Sequence, residues 1–263
     1  MASFASLSAS APGGPGIDYR PDNTIIFTIA RMNPPTPGHL EVISNLIMEA
    51  MSKGIPKVYV ILSKTKDADE NPIFCREKID ALKTMIKILQ QQMGTTVDVE
   101  LICVDEREAS PFITLSRIVR SSQFASLPDV NLFLVIGDDR ATMGESIRKM
   151  FVGKSNVRSV ETKVLTRSDM SEYKKKRGNE LCATVMGGVP PAALSASFVR
   201  NVVRDCPPEK FMELYGPYLE PEQISILYAS LRSGLRLAGG KRRKRRTIRK
   251  RRTNKKRKTM RRR

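Results

Sequence analysis

The sequence predicts an α/β fold: a Rossmann-like, doubly wound parallel sheet in a single domain, followed by a disordered basic C-terminal tail. Three observations carry that expectation. Short runs that are apolar throughout, such as Lys57–Leu62 and Asn131–Ile136, alternate with longer stretches whose apolar residues recur at helical spacing. Continuous apolarity marks a strand covered on both faces, as parallel strands are. The strand–helix–strand–helix order requires crossover connections, which lay helices on both sides of a sheet.

Taken in order, residues 1–23 are rich in Ser, Ala, Gly and Pro and are expected to be disordered. Ile25–Ala30 reads as the first strand. Leu40, Ile43, Ile47 and Met51 mark the first helix, with Thr36 as N-cap and Pro37 as first helical residue. Lys57–Leu62 is the second strand, set off by Gly54 and Pro56. Ile73–Gln92 forms the second helix and Gly94 ends it. Val97–Val104 is a third strand, Pro111–Phe124 a third helix, Asn131–Ile136 a fourth strand and Val157–Leu165 a fifth. Helical patterns follow at Ser195–Arg204, Glu209–Tyr218 and Pro221–Leu231. The domain is expected to span 24–236, with the tail at 237–263.

The formal charge of +19 belongs to the tail. Of 46 Lys and Arg, 17 fall in residues 241–263, where there is no acid, leaving 29 basic against 27 acidic groups in the other 240 residues. A near-neutral domain with a polycationic appendage is a different object from a basic fold. The four cysteines, Cys75, Cys103, Cys182 and Cys206, lie far apart without a C-x-x-C pair, and with a single histidine they argue against a structural zinc site. They fit a reducing, intracellular setting, cytoplasmic or nuclear. No apolar stretch approaches the roughly 18 residues of a membrane span. The N-terminus lacks the basic and apolar regions of a secretory signal.

In open parallel sheets ligands bind beyond the carboxyl ends of the strands, where strand order reverses. The first and fourth strands end at Arg31–His39 and Gly137–Arg140, where the unusual residues cluster. The lone histidine, His39, closes Asn33-Pro34-Pro35-Thr36-Pro37-Gly38-His39 on a strand–turn–helix seat suited to phosphate. This segment resembles the (H/T)xGH motif of the nucleotidyltransferase superfamily, which includes the nicotinamide-mononucleotide, pantetheine-phosphate and glycerol-phosphate enzymes. Leu194-Ser195-Ala196-Ser197-Phe198-Val199-Arg200 is similar to the family's ISSTxxR motif, which opens a late helix. The two matches arrive in family order, and the resemblance spans residues 24–205.

The resemblance implies transfer of a nucleoside monophosphate, AMP in preference to CMP, from ATP (or CTP) to a small phosphorylated acceptor. Nicotinamide mononucleotide is the first candidate, pyrophosphate leaves, and Mg²⁺ bridges the triphosphate through phosphates and water. It casts His39 and Arg200 as catalytic donors and Arg31, Thr36, Gly38, Ser195, Ser197 and Lys64 as nucleotide or phosphate groups. Gly137 and Asp139 correspond to a GxD segment that contacts acceptor or nucleotide. Lys66 competes with Lys64 for its role. Asn71-Pro72-Ile73-Phe74 looks like a family stretch covering the acceptor pocket, and Arg76 reads as a helix-surface residue. The chain departs from the pattern at Thr36, which stands for a histidine, at Ala196, which replaces a serine, and in having no tryptophan for stacking.

Two other motifs are decoys. Gly153-Lys154-Ser155 lacks the first glycine of a P-loop, since Arg148 stands there, and no KMSKS segment accompanies the histidine motif. Gly239-Gly240 leads into the tail, whose charge density suits polyanion binding or nuclear localisation. Such a boundary also resembles tails on proteins of large DNA viruses. The competing function is a nucleic-acid-binding or packaging protein that keeps the fold as a scaffold.

Overall fold

The computed structural model describes residues 17–104, 110–166, 173 and 176–237. Five strands, β1 (Thr24–Ala30), β2 (Lys57–Leu62), β3 (Asp98–Cys103), β4 (Val130–Gly137) and β5 (Val157–Leu165), form one sheet. All neighbours are parallel and the order is β3-β2-β1-β4-β5. The described residues also form α1 (Pro37–Ser52), α2 (Cys75–Met93), α3 (Pro111–Val119), α4 (Thr142–Phe151), α5 (Gly178–Met186), α6 (Ala196–Asp205), α7 (Pro208–Tyr215) and α8 (Pro221–Gly234). The chain steps outward from β1 to β3 and then returns to the other side of β1. The reversal therefore lies between β1 and β4, whose register runs from Thr24 opposite Asn131 to Phe27 opposite Leu134.

Side-chain alternation divides the strands between two cores. Ile26, Val58, Val60, Phe133 and Val135 face one side, with α1, α2 and the C-terminal helices. Ile25, Phe27, Tyr59, Ile61, Leu132 and Leu134 face the other, with α3 and α4. This is the doubly wound α/β domain that the apolar runs predict.

Several boundaries differ from the sequence reading. Tyr19 packs edge-on against Phe133 with ring centroids 6.2 Å apart. The Asp18 carbonyl accepts from the side-chain amides of Asn23 and Asn131, each at 3.2 Å. Residues 17–23 thus belong to the domain, because one aromatic ring and two amides tie them to the amino ends of the strands. Of the segment expected to be disordered, 1–16 lies outside the described residues, as do 238–263 of the tail. Leu237 packs on the core and belongs with the domain. Helix α3 stops at Val119, and the Ser121 carbonyl then accepts from the N–H groups of Phe124 and Ala125 in a separate turn. Helices α4 and α5 were not foreseen. They bury only Gly144, Ile147 and Phe151, and Leu181 and Val185, too few residues for a clear period. The Gly153 decoy is the left-handed residue (φ 73°) beyond α4.

All four cysteines are paired, contrary to expectation. Cys75 joins Cys103 with Cα atoms 6.1 Å apart, and Cys182 joins Cys206 at 5.5 Å. Parallel winding brings the start of α2 beside the end of β3, and α5 beside the end of α6, which spacing along the chain cannot reveal. The expectation of a reducing compartment, drawn from wide spacing without a C-x-x-C pair, loses that support.

Helix α8 ends against the loop before α2. A Cβ at Gly234 would overlap the backbone carbonyl of Pro72, which cannot swing aside. Gly234→Ala should therefore destabilise by about 1–3 kcal/mol, as overpacking does. Thermal unfolding should show a midpoint several degrees lower; an unchanged midpoint would contradict the contact.

Candidate active site at the sheet reversal

A cavity of about 320 Å³ opens where β1 and β4 diverge. Its wall takes Ala30 to Asn33 from the end of β1, His39 from α1, and Gly137, Asp139 and Arg140 from the end of β4. Ser195, Ala196, Ser197 and Arg200 come from the start of α6, and Glu70 and Asn71 from the loop before α2. Seven of the predicted site residues meet here: Arg31, His39, Gly137, Asp139, Ser195, Ser197 and Arg200. Thr36, Gly38 and Lys64 do not reach the wall.

Thr36 is wholly buried and acts on the histidine instead. Its backbone N–H donates to His39 Nδ1 at 3.0 Å, and its Oγ1 lies 3.0 Å from the same nitrogen. A ring nitrogen that accepts cannot carry the proton, so the neutral imidazole carries it on Nε2. Thr36 thus sets the tautomer and orientation of the ring. Gly38 is buried in the first turn of α1, beneath the wall.

Ser195 is the N-cap of α6, with its Oγ accepting from the Phe198 N–H at 3.2 Å. That leaves its hydroxyl proton for donation at a helix N-terminus, where backbone N–H groups also favour an anion. One turn on, Arg200 is buried. Its Nη1 donates to the Asn33 carbonyl at 2.7 Å and its Nη2 to Ser197 Oγ at 3.3 Å, which uses two of five N–H donors. Burial lowers its pKa, and Arg204 and Arg31 lower it further, against the opposing pull of Glu70 and Asp67. It stays a cation, as arginine does. Arg31 and Arg200 line the hollow, and the carboxylates of Glu70 and Asp67 offset part of the positive charge around Arg200. Arg31 meets Glu70 at 3.1 Å on the exposed rim.

The loop before α2 supplies Glu70, which the motif reading passed over, beside Asn71 of the stretch expected to cover an acceptor pocket. Asp67 Oδ1 accepts from the N–H groups of Asp69, Glu70 and Asn71, and its Oδ2 accepts from Asn71 Nδ2 at 2.6 Å. These bonds hold its carboxyl well below the usual carboxylate range. They also fix Asn71, whose buried Oδ1 has no hydrogen-bond partner among the described residues. Asn33 clamps the loop to β1: its Nδ2 donates to the Ile73 carbonyl at 2.9 Å and its Oδ1 accepts from the Ile73 N–H at 3.2 Å. Pro72, which follows Asn71, was a visible punctuation mark, but nothing in the sequence shows Asp67 folding back on its neighbours.

Magnesium has no protein cage here: among the described residues no three His, Cys, Asp or Glu side chains cluster. Asp139 and Glu70 are the carboxylates of the wall. A cation held by one or two carboxylates and by ligand phosphates needs no more, so the residues fit a magnesium that arrives with a triphosphate. No model of a known protein family matches the chain, and no curated protein matches it. Among the described residues no helix is long and apolar enough to cross a membrane.

Behind the loop, Lys78 of α2 is 1 % exposed, and its Nζ donates to the Ser63 carbonyl at 2.8 Å. Burial pushes its pKa down to about 8 from 10.5. Between these values the unfolded chain holds a proton that the folded chain has shed, so this group adds stability as pH rises. Relative to Lys78→Met, the wild-type protein should gain stability from about pH 8 to 10.5 and hold a constant offset below pH 8. Denaturant unfolding of both proteins across pH measures the difference; parallel curves would refute the buried, depressed lysine.

Proposed function

We propose that the protein is a nucleotidyltransferase, moving AMP from Mg²⁺–ATP to a small phosphorylated acceptor with release of pyrophosphate. The observation that carries this reading is the convergence of His39 and Arg200, from opposite ends of the domain, on one cavity at the sheet reversal. The arginine cluster and the α6 N-terminus add a seat for negative charge.

In the reaction an oxygen of the acceptor phosphate attacks the α-phosphorus of ATP. The bond from that phosphorus to the bridging oxygen breaks, and pyrophosphate leaves with the electron pair. No enzyme nucleophile is required, so positioning and preorganised charge do the work. His39, its proton fixed on Nε2 by Thr36, donates to an α- or β-phosphate oxygen. Arg200 and the Ser195 hydroxyl hold the leaving phosphates. Arg31 exchanges Glu70 for the triphosphate at the rim. Asp139 and Glu70 are the wall carboxylates that would hold a magnesium ion, which when bound would supply neutralising charge to the phosphates.

The test is pyrophosphate release from ATP and CTP over a panel of phosphorylated acceptors. Loss of a preorganised donor costs on the order of a hundredfold in rate, so His39→Ala and Arg200→Ala should each fall by about that factor or more. Full activity in either variant would remove its assigned role. Mg²⁺–ATP should also raise the melting temperature, because a ligand bound only by the native state stabilises it; no shift at saturating nucleotide would count against the cavity as its site.

A further inference from the structure

One wall of the cavity is a loop held at both ends. Residues 63–74 join β2 to α2, and Glu70 and Asn71 within them line the cavity. From Ser63 to Glu70 the residues are half-buried or exposed. The first end is fixed to the sheet: the Ser63 N–H donates to the Ala30 carbonyl at 2.9 Å, and the Ser63 carbonyl accepts from Lys78. The second end runs into α2, whose buried residues are Lys78, Ala81, Leu82, Met85 and Ile86. Cys75, Arg76 and Glu77, which open the helix, thus lie outside its core packing. Cys75 is instead bonded to Cys103, the last residue of the edge strand β3. Cys103 stands opposite Leu62, the last residue of β2. The disulfide therefore ties the far end of the loop back to the corner of the sheet from which the loop departs.

Two features set this bond apart from a staple for the whole fold. The domain has an apolar core on each face of its sheet, and it is small domains with too little core that rely on disulfides. Neither Cys75 nor Cys103 is fully buried, and thiol–disulfide exchange needs access to one sulfur of the pair. With the bond open, the far end of the loop keeps the two hydrogen bonds from Asn33 to Ile73. Neutral hydrogen bonds of this kind contribute little net stability each.

We propose that Cys75–Cys103 is a redox clamp on the cavity: its reduction by a dithiol frees the first turn of α2 and the loop before it, and weakens the hold of the site on a nucleoside triphosphate. A thiolate of the dithiol attacks one sulfur, the S–S bond breaks, and the other cysteine leaves as a thiolate. The second thiol of the dithiol then displaces the first cysteine from the mixed disulfide. Two electrons and two protons pass to the cysteines, and the dithiol becomes a disulfide. The choice of ligand rests on the transferase reading; the motion of the loop does not.

The experiment uses the full chain carrying Cys182→Ser and Cys206→Ser, so that one disulfide remains, with dithiothreitol as the reductant. Alkylation and mass measurement report how much of it is open. Amide hydrogen exchange then compares the oxidised and reduced forms. Reduction should speed exchange in residues 64–76 by about tenfold or more, as local opening does, while β1 and β4 keep their protection. The affinity for Mg²⁺–ATP, measured by calorimetry, should fall about tenfold, because only molecules with the loop in place bind well. Reoxidation should restore both. Unchanged exchange in 64–76 after complete reduction would overturn the clamp. Exchange that rises through the whole sheet would make the bond a staple and overturn it equally. A loosened loop with unaltered ATP affinity would overturn control of the site. If neither form binds ATP, the transferase reading fails, and exchange in the loop still decides the clamp. In a chain that retains the other pair, Cys75→Ser with Cys103→Ser should match the reduced form and ignore dithiothreitol; a full response there would assign the effect to Cys182–Cys206 and sink the proposal.

Discussion

The bond from Arg200 to the carbonyl of Asn33 spans 167 positions of sequence and decides whether the molecule has a cavity or two unrelated surfaces. It fastens α6 to the loop that leaves β1. The same loop is gripped from two other directions. The Tyr215 hydroxyl donates to the Pro35 carbonyl at 2.5 Å from α7, and the Asn33 side chain holds Ile73. Met32, buried and in the left-handed region at φ 43°, shows that the loop is forced into a shape it would not adopt alone. Bonds from three sides keep it there, and it carries His39 at its end.

This arrangement gives one arginine two tasks. Charge-assisted bonds from Arg200 to protein oxygens are strong where water is excluded. They hold the walls in register before any ligand arrives. The donors left over lie in a hollow where Arg31 and Arg204 disfavour the same positive charge. On the proposed reading, a phosphate entering that hollow would offset this repulsion, meeting an Arg200 that its bonds to Asn33 and Ser197 already hold in place. Thr36, the departure from the motif that the sequence resembles, fits the same proposal: it orients His39 through its backbone N–H, which would leave the single imidazole for contact with ligand.

Much of the sheet was legible because burial on both faces leaves runs such as Val58–Leu62 and Leu132–Ile136 without polar interruption. The cavity's two main contributors were legible because each sits at a strand or helix end marked by local chemistry: Pro37 and Gly38 before His39, and Ser195 as a cap before Arg200. What escaped was set by tertiary contact. Asp67, which carries no motif, acquires its role only by folding back on Glu70 and Asn71. Tyr19 looked like part of a loose leader because its partner, Phe133, is more than a hundred residues away. The cysteine pairs follow from winding direction, which no spacing encodes. Helices α4 and α5 are short, and each turns only two large apolar side chains inward.

The ends of the described chain leave from opposite poles of the sheet. Asp18 is bound at the amino ends of β1 and β4, while Gly234, three residues before Leu237, sits against Pro72 of the cavity loop. Seven residues of β1 separate the poles, roughly 20 Å at the usual rise of a strand. A rigid graft made directly at Asp18 would therefore leave the hollow facing away from it, whereas a bulky group joined directly after Leu237 would crowd the entrance. The polarity of attachment is a design choice that the strand direction has already made.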